Sequence, residues 1–143
     1  MASHGMAKID VTKVWALNYR LVASVIVDVA PALHDLGLEV KELFLLAELD
    51  AHPYPAELAE ALLIPKPSVT VYVKSVEAAG FVKREIDSTD LRRYRLSLTA
   101  DGRKTMTRGL ALLADAFGKR LGALTVAQQA EYRTLLEKLV ASN

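Results

Sequence analysis

The chain of 143 residues contains no cysteine. That absence removes disulfides, thiol redox sensing, cysteine nucleophiles and thiolate metal sites together. No uninterrupted apolar run approaches the ~20 residues of a membrane helix, although apolar residues make up 52% of the sequence. The opening "MASHGM" lacks the apolar segment of a secretory signal. Residues 1–5 read as a tag remnant with Met6 as the expected native start, which leaves His34 and His52 as the usable histidines. Their unrelated spacing, with Asp35, Glu48 and Asp50 as neighbouring carboxylates, is poor for metal ligation, and no metal or other cofactor is expected. There is no Ser/His/Asp arrangement, no Gly-rich phosphate loop and no framed carboxylate pair, so an enzyme is not expected. Repeats, low-complexity segments and disordered linkers are missing as well.

What is present is a single domain's length with more apolar residues than one small core needs. A homodimer built on apolar helices accounts for the surplus most simply. The formal net charge of +1 is unevenly spread. Residues 1–65 hold four Lys/Arg against nine Asp/Glu, a net of −5; residues 66–108 hold ten against five, a net of +5; the remainder carries +1. A basic middle third between flanks that lack its charge reads as an anion-facing module on a scaffold.

Periodicity orders the elements. From Asp10 to Leu36 the pattern is helical, with Lys13, Arg20, Ser24, Asp28 and Asp35 on one narrow polar stripe and apolar residues nearly everywhere else. So thin a wet stripe implies cover on several sides, as in a dimer core. Pro31 is expected to kink this helix or begin a new segment. A second helix spans Glu39 to Leu49, with Val40, Leu43, Phe44, Leu46 and Ala47 inward. Pro55 to Leu63 and Pro67 to Ala79 form a helix-turn-helix pair, each opened by a proline suited to a first turn; Gly80 ends the second. The period then falls to 2, with Val82, Arg84, Ile86 and Tyr94, Leu96, Leu98 alternating on two strands around an Asp87-to-Arg92 turn. A long helix to about Leu121 follows the start signal at Thr99, and Thr125 caps a last one. The expected class is mainly α with a small two-stranded β-wing: a winged helix-turn-helix lobe over residues 37–102, flanked by dimerisation helices at 6–36 and 103–143.

On the helix from Pro67, Val69, Val73 and Val76 face a core, while Thr70, Val71, Lys74 and Ser75 face outward with Ser68 near the edge. Short hydroxyl side chains can approach base edges or phosphates, and a valine can meet a thymine methyl. Lys66 and Lys74 suit phosphate contacts. The turn "DSTDLRRYR" adds Arg92 and Arg93 on a thin ribbon. An arginine there can enter a minor groove whose narrow A·T segments concentrate negative potential, and Asp90 can fix the direction of Arg92.

The stretch 58–102, above all "DLRRYRLSLT" followed by "ADG" and preceded by "VEAAGFVKR", resembles the DNA-binding core of the MarR family of bacterial transcription regulators. "LHDLGLEVKELFLLAEL" is similar to that family's lead-in. The resemblance implies a homodimer joined through its first and last helices, a recognition helix in the major groove, a wing arginine in the minor groove, and repression relieved by a small molecule. By position it assigns Asp90 and Arg92 to the wing's aspartate and groove-entering arginine, and Ser68, Thr70 and Val71 to DNA reading. The sequence departs from the family at Val71, where arginine is frequent, and at "PKP", which lacks the usual serine or threonine cap.

Asn18 lies opposite the polar stripe beside Trp15 and Tyr19 and is expected to be buried. One reading is a satisfied polar residue in the dimer interface. The other makes Trp15, Asn18 and Tyr19 the lining of a pocket for a small aromatic effector. The overall expectation is a cytoplasmic, homodimeric, ligand-responsive repressor on a pseudo-palindromic operator in double-stranded DNA. The alternative is a winged-helix module without DNA binding that acts through protein contacts or ligand sequestration.

Overall fold

Helix α1 (Val11–Asp35) begins where the Asp10 carboxylate accepts from the backbone N–H of Lys13 at 3.0 Å. The computed structural model describes residues 8–142, so the tag-remnant reading of residues 1–5 and the start at Met6 lie outside the described residues. Of the two outcomes expected at Pro31, a new segment does not occur: α1 runs through the proline to Asp35. Near a helix end the proline removes one N–H bond at an exposed position, which is a small loss. The second half of α1 buries Val25, Val29 and Leu33, packing against α5 (Ala100–Leu121). The first half does not: Trp15, Tyr19 and Val22 remain 67%, 65% and 58% exposed. By length and composition alone α1 could cross a membrane, but its charged stripe and its packing on α5 are those of an amphipathic helix.

Helix α2 (Val40–Glu48) starts in a reciprocal capping box, with the Glu39 N–H donating to the Glu42 side chain at 2.8 Å. Leu43, Leu45 and Leu46 are buried together with Glu42, Val40 and Phe44 are half-buried, and Ala47 is exposed. The buried arc is therefore rotated from the expected one, because α2 is enclosed by α3 (Pro55–Leu62), α4 (Lys66–Ala78) and α5 at once. Pro55 holds the first position of α3, as expected. Leu63 then closes α3 in the left-handed region, at φ 56° and ψ 43°, with its side chain 90% exposed. An L-residue other than glycine held there costs about 1–2 kcal/mol, and no burial offsets it. Leu63→Gly is thus expected to raise the unfolding free energy by ~1 kcal/mol, read as a higher urea midpoint; a lower midpoint would contradict this.

Helix α4 starts one residue earlier than the proline pattern suggests, at Lys66, with Pro65 as its cap and no side-chain capping bond. The Ser68 and Val69 N–H groups turn to the Pro65 carbonyl instead, at 3.0 and 3.2 Å. At the other end Gly80 adopts φ +83°, and the Phe81 N–H returns to the Val76 carbonyl at 2.9 Å, which satisfies a terminal carbonyl in the manner glycine permits. Strands β1 (Val82–Ile86) and β2 (Tyr94–Leu98) pair antiparallel with Arg84 opposite Leu96 and Ile86 opposite Tyr94. The Leu96 N–H also donates to the Pro53 carbonyl at 2.8 Å, tying the ribbon to the segment before α3. Thr99 caps α5 and donates its hydroxyl to the Gly80 carbonyl at 2.6 Å. Helix α6 (Val126–Ala141) follows a Thr125–Gln128 capping box and buries none of its residues. The core lies between α2, α4, the ribbon and the second half of α1, with Leu33, Leu43, Leu46, Val69, Val73 and Leu96 at most 2% exposed.

Candidate nucleic-acid interface

The burial pattern of α4 divides it into two faces. Val69, Val73 and Val76 are buried and Tyr72 is half-buried, while Lys66, Pro67, Thr70, Val71, Lys74 and Ser75 are exposed and Ser68 sits half-buried at the margin. The structure thus gathers Lys66, Thr70, Val71 and Lys74 on one open surface with Ser68 at its edge. Val71 presents a 63% exposed apolar side chain in the middle of that surface. The Thr70 hydroxyl donates back to the Lys66 carbonyl at 3.2 Å, which leaves its oxygen free to accept.

The wing turn is closed by two backbone bonds, Asp87 N–H to the Arg93 carbonyl at 3.1 Å and Arg93 N–H to the Asp90 carbonyl at 3.0 Å. At its tip the Asp90 carboxylate accepts from the Arg92 backbone N–H at 3.0 Å and from the Arg92 guanidinium at 3.2 and 3.4 Å. Hydrogen bonding from the Arg92 side chain, with the backbone bond second, holds the Asp90 carboxyl below its ordinary range. The Arg92 side chain is nevertheless 90% exposed. It is aimed but not consumed by its partner, the arrangement a groove-entering cation requires.

Arg93 behaves differently. Its guanidinium lies 3.6 Å from the centre of the Tyr54 ring and within 3.8 Å of Asp87 and 3.9 Å of Glu57. Asp87 accepts at one oxygen from the Thr89 hydroxyl and N–H, at 2.7 and 2.9 Å, and at the other from the Tyr54 hydroxyl at 2.8 Å. These bonds, Thr89's first, lower the Asp87 carboxyl to about 2, with the Arg93 charge as a smaller cause. The unfolded aspartate titrates near ~3.9. Between those values the unfolded chain binds more protons, so stability rises with pH there; the contribution is complete above about pH 4 and lost as pH falls toward 2. Wild type and Asp87→Asn should differ in urea midpoint at pH 7 and converge near pH 2. A gap that stays constant through this window would contradict the assignment.

A second clamp joins the ribbon to α4. Arg84 on β1 donates two 2.7 Å bonds to Glu77 and lies 4.3 Å from the centre of the Tyr94 ring. The hydrogen bonds lower the Glu77 carboxyl and raise the Arg84 guanidinium. Sequence reasoning missed both clamps. The Asp-Ser-Thr signature of a side-chain turn was readable, but nothing in the sequence spacing ties Tyr54 to Asp87.

The effector-pocket candidates are not brought together. Trp15, Asn18 and Tyr19 are all exposed on the single chain, so no element of the same chain buries Asn18. Asn18 does line a hollow of about 370 Å³ with Leu17, Leu21, Phe117 and Tyr132, from which Trp15 and Tyr19 are absent. A second hollow of about 640 Å³ lies between α1 and the start of α2, lined by Ile26, Pro31, His34, Leu38 and Val40 among others, with Tyr72 of α4 at its side. His34 lies on α1 and His52 in the turn between α2 and α3; His52 faces Glu57 at 3.8 Å. Among the described residues no three His, Asp or Glu side chains gather to hold a cation.

A helix-turn-helix with an exposed reading face, followed by a ribbon carrying an aimed arginine, defines a winged helix-turn-helix module. The MarR family model matches residues 36–93. The HTH-type transcriptional repressor Rv2887 of Mycobacterium tuberculosis is 34% identical over 125 residues, covering 86% of this chain and 90% of that protein. The chain therefore belongs to the MarR family. The solved structure of Rv2887 with DNA superposes with a TM-score of 0.73 at 32% identity, over 89% of this chain and 96% of that one. Its complex with salicylic acid gives 0.71 at 34% identity, over 86% and 93%. A MarR mutant from E. coli with operator DNA gives 0.78 at 19% identity, over 91% and 95%, a likeness of fold.

Proposed function

We propose that this protein is a homodimeric, cytoplasmic transcription repressor that binds a two-fold-symmetric operator in double-stranded DNA and releases it when a small aromatic acid binds. The observation that carries the reading is the pairing of an open α4 face with an Arg92 that is both oriented by Asp90 and 90% exposed. In this reading Thr70, Val71 and Ser68 meet base edges and neighbouring phosphates in the major groove. Lys66 and Lys74 neutralise phosphates, and Arg92 enters the minor groove. The apolar first half of α1 and the uncovered α6, where Val126 and Val140 are 83% and 84% exposed, supply the dimer contact, so the segments 6–36 and 103–143 act as the dimerisation part around a 37–102 DNA-binding lobe. No step of this function requires catalysis or a cofactor.

The hollow between α1 and the start of α2 suits the effector, because its lining includes Tyr72 of the reading helix. An occupant there bears directly on the position of α4. The Asn18 hollow, with Trp15 and Tyr19 nearby on α1, lies within the dimer-forming surface and is the second candidate. A few-fold loss of affinity needs only ~1 kcal/mol of differential effector binding between the DNA-bound and released states of the dimer. The salicylic acid complex of Rv2887 makes salicylate the first compound to try.

Selection of random 30-bp duplexes by the purified protein tests the reading. Enrichment of an inverted repeat with half-sites about one helical turn apart is expected. A pool that stays random would favour a protein-contact module instead. On the selected duplex, Lys74→Ala should make the slope of log affinity against log salt shallower by about 1, with little change in base preference. An unchanged slope would remove Lys74 from the phosphate contacts.

A further inference from the structure

Three arginines crowd the wing within four positions, and the structure treats them unequally. Arg92 projects into solvent from the tip. Arg93, next in sequence, points back to α3: its guanidinium covers the Tyr54 ring at 3.6 Å and lies between Asp87 at 3.8 Å and Glu57 at 3.9 Å. Tyr54 contributes twice, since its hydroxyl donates to the same Asp87 at 2.8 Å. Asp87 is 8% exposed and holds the turn from within through the Thr89 N–H and hydroxyl. The backbone of Arg93 closes the turn at both its N–H and its carbonyl. The base of the wing is thereby fastened to the N-terminus of α3, the first helix of the helix-turn-helix pair.

We propose that Arg93 is a positioning residue of the wing and not a DNA contact: stacked on Tyr54 and held by Asp87 and Glu57, it fixes the ribbon against α3 and so sets the direction from which Arg92 meets the minor groove. A cation lying across an aromatic face beside two carboxylates has its field offset there, and turning it toward a phosphate would give up those contacts. A two-strand ribbon with no such fastening would sample many tip positions, and aiming Arg92 would then cost conformational entropy at each binding event. The inference rests on the DNA-binding reading above for its consequence, although the fastening itself exists in the free protein.

The test has one arm without DNA and one with it. In the free protein, amide hydrogen exchange over residues 87–93 is measured in wild type, Arg93→Gln and Tyr54→Leu, with global stability checked by urea melts. Faster exchange confined to the wing is expected in both variants; wild-type exchange in both would overturn the proposal. On the duplex recovered by selection, each variant should bind about 3- to 5-fold more weakly, the scale of one exposed cation–π contact with its ion pairs. The double variant should be no weaker than either single one, and all should keep the wild-type salt slope. Losses that multiply, together with a salt slope reduced by about 1 in Arg93→Gln alone, would make Arg93 a phosphate contact and overturn the proposal. If selection enriches no duplex, the DNA-binding reading fails, and the exchange arm still decides whether Arg93 fastens the wing.

Discussion

Arg92→Ala is expected to weaken binding to the selected operator by about 1–3 kcal/mol while leaving dimerisation and thermal stability unchanged. The asymmetry follows from the environment of the side chain. At 90% exposure, paired among the described residues with Asp90 at 3.2 Å, Arg92 is part of a solvent-screened ion pair that contributes little to the fold. In a narrow minor groove the same guanidinium meets concentrated negative potential, and Asp90 has already restricted its direction. The loss should therefore be larger on operators with A·T-rich flanks than on G·C-rich ones. Anisotropy titrations on both flank types measure it, and equal affinity of variant and wild type would end the minor-groove account of the wing.

Gly102→Ala should destabilise the fold by about 2–3 kcal/mol or more. Gly102 is buried in the first turn of α5, where a Cβ would overlap the backbone carbonyl of Phe81. That carbonyl cannot step aside freely, because it accepts the Thr99 N–H at 3.0 Å, and Thr99 in turn caps Gly102 and bonds Gly80. Overpacking against a fixed backbone costs about 1–3 kcal/mol, occasionally more, and alanine's helix preference recovers only ~1 kcal/mol. Relief would require α5 to move away from the junction between α4 and β1, so DNA affinity should fall as well. Urea melts at fixed protein concentration give the first value; an unchanged midpoint would mean that α5 repacks at no cost.

Much of this molecule was legible because its functional part is local in sequence. The reading face of α4 follows from a 3.6-residue period over one helix, and the Asp90–Arg92 pair from two positions on one turn. Gly80 marks its boundary by a positive φ few other residues supply as readily, and Thr99 marks its own by a side-chain oxygen that caps Gly102. What escaped was non-local or depended on cover. Tyr54 and Asp87 meet across 33 positions, and no pattern in either segment announces the other. Glu77 and Arg84 sit on different elements, so helix spacing does not pair them. Leu63 occupies a left-handed position without glycine or asparagine, the usual signal. A wheel showed that α1 is apolar nearly all round, yet it could not show which neighbour covers which side; Asn18 consequently lies open on the single chain.

The central claim is that α4 and the wing together read a specific DNA sequence. Its most direct test is fluorescence anisotropy of the dimer on the selected duplex and on a scrambled duplex of the same composition, at two salt concentrations. Affinity at least ~10³-fold higher for the selected duplex at the physiological salt concentration is the result this account predicts. Equal, strongly salt-dependent affinity for both would reduce the basic face to a non-specific anion surface and contradict it.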